Sequence, residues 1–487
     1  ADSWDAAIWY LDSDGDGFGI SGSTTAACDL PSGYAALDTD CDDADSSVHH
    51  GAAEVWYDGI DQDCAGDSDY DQDGDGYDID SHGGDDCDDE DERVNPARLE
   101  TSGNGTDDNC DGDTDFLDLA NADATLFGAA VGDAAGFSVA GPGDVDGDGL
   151  PDLLIGAPGE STNGLAAGAA YLVTGTVAGE VVLGSSGFTL YGVDEDDMLG
   201  IAVAGAGDTN GDGFADLFIG SNCNRGTCDG PETAYLVLGP VSADMQIADA
   251  DALLTAETPG NASGMYLAGA GDVNGDGFDD LLVSAYMDLP DGAYNGSTYL
   301  VLGPASGVIS LSDADAKLTG ESAGDYAGRV AGVGDIDGDG LDDFMIGAYH
   351  ASVNASLDGA AYLQYGPLIG ELDLASADVR IVGENENDYA GNSLAGAGDV
   401  NGDGSDDFLI GANSEDSAGE AAGAVYLFIG APTGSLSAAT ADAKLTGEQA
   451  GDQGGGISEQ RRWSGFGGGL SDGGRWCRCL LWRGSYL

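Results

Sequence analysis

Positive charge is what this chain has least of. Its 487 residues hold 12 Lys and Arg against 91 Asp and Glu, a formal net charge of −79. That balance argues against nucleic acid as a partner, because phosphate binding needs a basic surface. It argues against an anionic membrane surface for the same reason. No apolar run approaches the roughly 20 residues of a transmembrane helix, so no transmembrane segment is expected. The chain begins at Ala1 without Met or a basic-then-apolar leader, so any signal peptide is expected to have been removed. Histidine is scarce. His49, His50, His82 and His350 make no metal-ligand spacing, and His49-His50 reads as a solvated turn, with a transition-metal pair as the rival. No helical amphipathic pattern of useful length occurs. The body of the chain has no nucleophile motif and no phosphate loop, so the expectation is a protein that is not an enzyme. CxxC spacing is absent too, which weighs against a four-cysteine zinc site without removing it.

What is abundant is aspartate, at fixed places. Asp144-Val-Asp-Gly-Asp-Gly-Leu-Pro-Asp152 sets carboxylates at positions 1, 3, 5 and 9 of a tight loop. The cassette returns at Asp208, Asp272, Asp335 and Asp399, after 64, 64, 63 and 64 residues. A fixed period of this size indicates a repeat architecture. A disordered acidic chain conflicts with the 42% apolar residues, which fall in periodic blocks. A halophile-like solvated surface can coexist with such loops but does not explain their spacing.

Calcium takes six to eight hard oxygens at adaptable distances. Each loop offers side chains at 1, 3, 5 and 9 and a carbonyl at 7. The candidate ligands are Asp144, Asp146, Asp148, the Leu150 carbonyl and Asp152 in the first copy, and Asp208, Asn210, Asp212, the Phe214 carbonyl and Asp216 in the second. Asp272, Asn274, Asp276, the Phe278 carbonyl and Asp280 follow in the third, then Asp335, Asp337, Asp339, the Leu341 carbonyl and Asp343. The fifth copy gives Asp399, Asn401, Asp403, the Ser405 carbonyl and Asp407. An EF-hand would need a Glu at position 12 on a helix. Here position 12 is Ile155, Ile219, Val283, Ile346 and Ile410, an inward strand residue, so the loop joins two strands. The alternative is a family of Asp-Gly turns without metal. Magnesium is disfavoured because it keeps its waters.

Each repeat reads as short strands around its loop. A small-residue segment, Gly136–Gly143, leads in; Leu153–Ile155, Gly168–Gly175 and Phe188–Gly192 follow as strands. Three or four short strands in about 64 residues match one propeller blade. Cys223 and Cys228 sit in a variable loop of the second copy, where a local disulfide and two free thiols are both open.

Residues 1–115 differ. Asp12, Asp14 and Asp16 open a loop echoed by Asp71, Asp73 and Asp75, but position 9 is Ile20 or Ile79. The missing ligands must come from elsewhere, and the clusters Asp40–Asp45 and Asp86–Asp91 are the candidates. Cys41 and Cys64 are 23 residues apart, as are Cys87 and Cys110. The symmetric expectation is one bridge per repeat with Cys28 left over, which would place the chain in an oxidising compartment. So little apolar material needs metals or disulfides as staples.

Residues 457–487 break the pattern, with five of the ten arginines and Arg461-Arg462-Trp463 where a sixth loop should stand. Read one nucleotide later, the codons for Gly473–Leu481 permit Ala-Ala-Ala-Gly-Ala-Ala-Ala-Tyr, close to Ala166–Tyr171. The segment is therefore expected to be a frameshift product, and Gly469-Leu-Ser-Asp-Gly473 a chance match to a serine-hydrolase elbow.

The Asp-x-Asp/Asn-x-Asp-Gly-x-x-Asp loops with their Gly-Ala-Pro-like turns (Gly156–Pro158, Gly347–Tyr349) resemble the FG-GAP repeats of integrin α-subunit propellers and bacterial secreted proteins. The resemblance implies an all-β propeller with calcium on one face and ligand contacts on the other; over 116–456 this chain offers five complete blades and a damaged sixth, so a closed ring and an open or irregular arc both stand as alternatives. Tyr10–Phe18, Asp40–Asp43 and Asp58–Cys64 resemble the MopE-like Asp/Cys-rich metal-binding repeats of surface proteins, which implies cation binding and a surface location. Together these suggest a bacterial secreted or cell-surface calcium-binding protein whose propeller is an adhesion platform for an extracellular protein or glycan. The alternatives are a passive calcium-binding stalk or buffer, and the non-catalytic part of a secreted hydrolase.

Overall fold

The computed structural model describes residues 6–98, 106–110, 122, 124–185, 187–222, 232–290, 294–447 and 450–455. The chain divides into two compact units, residues 1–122 and 123–487. The 457–487 segment and the Cys223/Cys228 loop lie outside the described residues.

The described residues of the second unit are all-β and form five successive antiparallel sheets. Innermost strands Ser138–Gly143, Ala202–Gly207, Leu267–Gly271, Arg329–Gly334 and Ala390–Gly398 open the sheets. The Asp loops connect them to second strands Asp152–Ala157, Asp216–Ser221, Asp280–Ala285, Asp343–Ala348 and Asp407–Ala412. Third strands run Ala169–Val173, Thr233–Val237, Ser297–Val301, Ala360–Gln364 and Ala424–Phe428, and fourth strands Phe188–Tyr191, Ala252–Thr255, Ala316–Thr319, Val379–Val382 and Ala443–Thr446. The expected propeller blade is thus present five times. The small-residue lead-in is itself the innermost strand.

A fifth strand was not foreseen. Gly307–Ser310 comes from the next repeat and pairs in parallel with Ala252–Thr255, and Gly370–Asp373 and Gly434–Ser437 do the same one and two sheets on. Each repeat therefore laces into its predecessor. Ala124–Phe127 pairs in parallel with Gly179–Val182 in the same way, so it is equivalent to a fourth strand preceding the first full sheet.

The core lies between sheets. Leu154, Leu172 and Leu190 of the first pack against Leu217, Ile219 and Val237 of the second. Leu282, Leu300 and Leu318 of the third meet Phe344, Ile346 and Tyr362 of the fourth. A strand sandwiched this way is buried on both faces, which explains why Asp343–Ala348 is buried at every residue. The innermost strands need glycine for close approach. A Cβ on Gly332 would sit 2.4 Å from the Gly269 carbonyl oxygen, and one on Gly269 2.8 Å from that of Gly205.

The first unit holds one three-stranded sheet, Ala7–Leu11 flanked by Ile20–Ala27 and Tyr34–Ala35. Disulfides join Cys41 to Cys64 and Cys87 to Cys110, the symmetric pairing, and Cys28 is free and exposed. The rival four-cysteine zinc site is thereby overturned, since oxidised sulfurs cannot act as thiolate ligands. Among the described residues no helix is long and apolar enough to cross a membrane.

Candidate metal centres

Each Asp loop of the second unit is a web of backbone amides drawn onto carboxylates. Asp144 accepts N–H groups of Gly147, Asp148 and Gly149 at 2.7, 3.1 and 2.8 Å. Asp146 accepts from Asp148, and Asp148 from Leu150. Asp152 takes the Val145 N–H on one oxygen at 2.8 Å and the Gly175 N–H on the other at 3.0 Å. Positions 1, 3 and 5 therefore curl the loop. Position 9 pins its second residue and a glycine 23 residues downstream.

The other four loops repeat the pattern. Asp208, Asn210, Asp212 and Asp216 are gathered in the second loop, and Asp272, Asn274, Asp276 and Asp280 in the third. Asp335, Asp337, Asp339 and Asp343 follow, then Asp399, Asn401, Asp403 and Asp407. Two of the loop Asn side chains also donate to the carboxylate two residues on: Asn210 Nδ2 to Asp212 at 3.0 Å and Asn401 Nδ2 to Asp403 at 2.9 Å. Leu150, Phe214, Phe278, Leu341 and Ser405 bring position-7 carbonyls to the same turns. The Phe214 ring lies on Gly147 of the preceding loop, where a Cβ would come within 2.4 Å of it. Gly147 also has φ +80°, so no other residue suits the place.

Burial raises the Asp152 and Asp216 carboxyls above their ordinary value and lifts Asp280 and Asp343 to about 7. Like charge adds to this, from Asp276 and Asp272 at Asp280 and from Asp337 and Asp335 at Asp343. A bound cation would favour the ionised form that burial and repulsion oppose.

Position 8 carries a role that sequence reading missed. Asp279, Asp342 and Asp406 each reach back to the preceding loop, accepting the N–H of Asp208, Asp272 and Asp335 at 2.6, 2.8 and 3.1 Å. Their own N–H groups donate to the carbonyls of those same residues at 3.1, 3.2 and 3.0 Å. The second sheet has Ala215 there and keeps only the backbone half of the clamp, 3.0 Å to the Asp144 carbonyl.

In the first unit, ligand-type oxygens of Asp12, Asp14 and Asp16 lie within 4.8 Å of one another. Two overlapping groups gather at the second loop: Asp71, Asp73 and Asp89, and Asp73, Asp75 and Asp86. Glu54, Asp61 and Asp63 form a further cluster that the sequence did not single out. Burial lifts Asp73 to about 6 and raises Asp40 and Asp86, with Asp16 and Asp14 adding repulsion at Asp40.

The donor chemistry can be tested against a metal directly. One oxygen each of Asp14, Asp16, Asp40, Asp73 and Asp86 is buried and has no hydrogen-bond partner among the described residues. Every unpartnered donor in these clusters is a carboxylate oxygen, with no imidazole and no free thiolate among them. That set fits a hard, oxygen-seeking cation and not a soft or borderline one.

Comparison with known proteins agrees with this layout. The family model described as "FG-GAP repeat" matches residues 135–173, 266–301 and 390–428. The one described as "Putative metal-binding motif", of the MopE kind, matches 40–70 and 86–115. The chain is similar to Integrin alpha-PS2 of Drosophila melanogaster, at 30% identity over 211 residues, 39% of this chain and 14% of that one. It is similar to Integrin alpha pat-2 of Caenorhabditis elegans, at 30% over 245 residues, 46% of this chain and 19% of the other. Integrin alpha-7 of Homo sapiens matches at 32% over 167 residues, 34% of this chain and 13% of that protein. The chain thus carries FG-GAP repeats and a MopE-like motif, has distant homologues among integrin α chains, and spans less than a fifth of those relatives' length.

Proposed function

We propose that this is an extracellular calcium-binding protein in which calcium holds the five Asp loops and the opposite loop ends form an interaction surface for a protein or glycan. The observation that carries the reading is the fivefold recurrence of one carboxylate loop whose ninth residue, Asp152, Asp216, Asp280, Asp343 or Asp407, is buried in every copy. Calcium suits it because the ligands are flexible carboxylates and carbonyls, whereas magnesium avoids all-protein cages. Two disulfides support an oxidising, extracytoplasmic location.

Support for the interaction surface comes from aromatic residues at the strand ends away from the Asp loops. Tyr266, Tyr326 and Tyr389 precede innermost strands, and Tyr286 and Tyr349 follow second strands. Tyr266 and Tyr286 meet edge to face at 5.5 Å, and His350 lies 5.1 Å from Tyr326 and 5.6 Å from Tyr389. The Arg329 guanidinium lies 4.0 Å from the Tyr266 ring. Half-buried, rigid aromatic groups of this kind are the usual anchors of protein interfaces. Calcium in this scheme is structural and takes part in no reaction.

Metal analysis of the purified protein and thermal melting with and without chelator test the calcium reading. A bound ion adds about 2.7 kcal/mol when free ion stands at a hundredfold its dissociation constant. Calcium, and not magnesium, should restore the melting temperature after chelation; an unchanged melting temperature would refute the reading. A screen of surface glycans and extracellular proteins, with and without chelator, tests the platform. A large calcium-dependent melting shift without any ligand would instead favour a passive calcium-binding stalk.

A further inference from the structure

The loops Asp12–Asp16 and Asp71–Asp75 lack the acidic ninth residue that closes the loops of the second unit; Ile20 and Ile79 stand there. In both cases that isoleucine forms a parallel β-bridge, Ile20 with Asp40 and Ile79 with Asp86. The N–H of Asp40 donates to the Gly19 carbonyl at 3.3 Å, and that of Asp86 to the Asp78 carbonyl at 3.1 Å, the eighth position of each loop. An aspartate from a later segment is thus laid alongside the place where the loop's own closing residue is missing.

The connections that achieve this differ. Asp40 follows Ile20 by twenty positions, and the two outer strands of the three-stranded sheet lie in between; Asp86 follows Ile79 by seven. Two unlike connections converge on one pairing, so the pairing and not the connection is the shared element. The ninth residue's two tasks are also divided here. Asp43 accepts the N–H of Ser13 at 2.7 Å, and Asp89 that of Gln72 at 3.1 Å, the second position of each loop. In the second unit the ninth residue holds that amide itself. With that amide taken by Asp43 and Asp89, Asp40 and Asp86 each use one oxygen to accept a local N–H, of Asp42 at 2.9 Å and of Asp88 at 3.0 Å, and keep the other without a partner among the described residues.

Their state is the independent sign of a ligand. Asp86 is 0% exposed and Asp40 6% exposed. One oxygen of each has no partner among the described residues, beside equally unpartnered oxygens of Asp14 and Asp16 at the first loop and Asp73 at the second. Ligand-type oxygens of Asp73, Asp75 and Asp86 fall within 4.8 Å of one another. Buried carboxylates that converge with no basic partner among the described residues either take up a proton or take a counter-ion. We propose that Asp40 and Asp86 are the closing ligands of two split cation sites, one with Asp12, Asp14 and Asp16 and one with Asp71, Asp73 and Asp75, each taking a hard divalent cation of the calcium type. The inference rests on the reading of these loops as cation sites. It adds that each site is assembled across two segments, each closing aspartate lying next to a cysteine that is tied by disulfide 23 residues downstream.

The test uses the oxidised full chain, stripped by chelator and titrated with calcium alone, with bound ions counted by equilibrium dialysis. Asp40→Asn and Asp86→Asn should each weaken one site at least tenfold, so the count falls by one in each variant and by two in the double variant. Asp29→Asn and Asp85→Asn, which remove exposed charges, should leave the count unchanged. An unchanged count in the Asp40 and Asp86 variants, with both disulfides verified by peptide mapping, overturns the proposal while sparing the cation reading. A wild-type chain that binds no calcium overturns both. Asp86→Leu separates ligand from scaffold. In chelator it should melt no lower than wild type, because a buried unpaired charge has gone, and its calcium-induced shift should shrink. A lower melt in chelator would mark Asp86 as structural and overturn the assignment.

Discussion

The carboxylate of Asp342 accepts the backbone N–H of Asp272, 70 residues earlier, at 2.8 Å, while its own N–H donates to the Asp272 carbonyl at 3.2 Å. Asp272 is the first residue of the third Asp loop, so the fourth loop grips the third by the residue from which its coil begins. Asp279 and Asp406 make the same grip on either side. The loops are thus a chain of clamps and not five independent turns.

Asp342→Ala should therefore act at a distance. The Asp272 N–H would lose a charged acceptor, which costs about 1 to 3 kcal/mol, and the third loop would bind its cation more weakly although none of its own residues had changed. Ala215→Asp in the second sheet, where the side-chain half of the clamp is missing, is the reciprocal variant. Denaturant unfolding with calcium titration checks both. An Asp342→Ala protein with wild-type stability and affinity would show that the backbone half of the clamp suffices.

What could be read in the sequence follows the range of the interaction. Positions 1, 3, 5 and 9 of a loop lie within nine residues, so their shared purpose shows as spacing. The bridges Cys41–Cys64 and Cys87–Cys110 showed because two equal separations repeat. Asp342 did not, because its partner is one blade away and the residue at its place varies, Pro151 and Ala215 in the first two copies. The fifth strands Gly307–Ser310, Gly370–Asp373 and Gly434–Ser437 were missed for the same reason: they pair with the preceding repeat. Asp40 and Asp86 lay in clusters already suspected, but their distances from Asp12 and Asp71 differ, so no spacing rule singled them out. Burial and the Ile20 and Ile79 bridges did.

Lys317 is one of the few basic side chains in the second unit, and it serves three neighbours. Its Nζ lies 2.6 Å from Glu257 and 3.2 Å from Asp288, and 5.1 Å from the centre of the Tyr299 ring, whose hydroxyl donates to Glu257 at 2.6 Å. Bonds from Lys317 and Tyr299 hold the Glu257 carboxyl below its ordinary value. Lys317→Met should cost about 1 to 3 kcal/mol by leaving two carboxylates without their cation, and Glu257→Gln in the same chain should recover part of it. A double-mutant cycle in denaturant measures the coupling; strict additivity would mean the pair adds nothing beyond its separate side chains.

Asp325 gives the clearest pH signature away from the metal loops. It is buried in the connection from Ala316–Thr319 to Arg329–Gly334 and accepts the Ser322 N–H at 2.7 Å. Burial, with Glu321 adding like charge, lifts its carboxyl from 3.8 to about 6. The folded-state value lies above the unfolded one, so as pH rises the unfolded chain releases this proton first. The group's contribution to stability is present below about 4 and is lost as pH rises to about 6. Asp388 stands in the same place one sheet on, accepts the Asn385 N–H at 2.7 Å and is likewise lifted to about 6. Asparagine at either position keeps an acceptor oxygen for the loop amide and carries no charge. Asp325→Asn should therefore raise the melting temperature at pH 7.5, leave it nearly unchanged at pH 4, and flatten the slope between, with Asp325→Asn/Asp388→Asn showing roughly twice the effect. Melting across pH 4 to 8 at saturating calcium makes the comparison. A uniform loss at every pH would show instead that the loop needs both carboxylate oxygens, and that the burial of charge here is offset by the bonds it accepts.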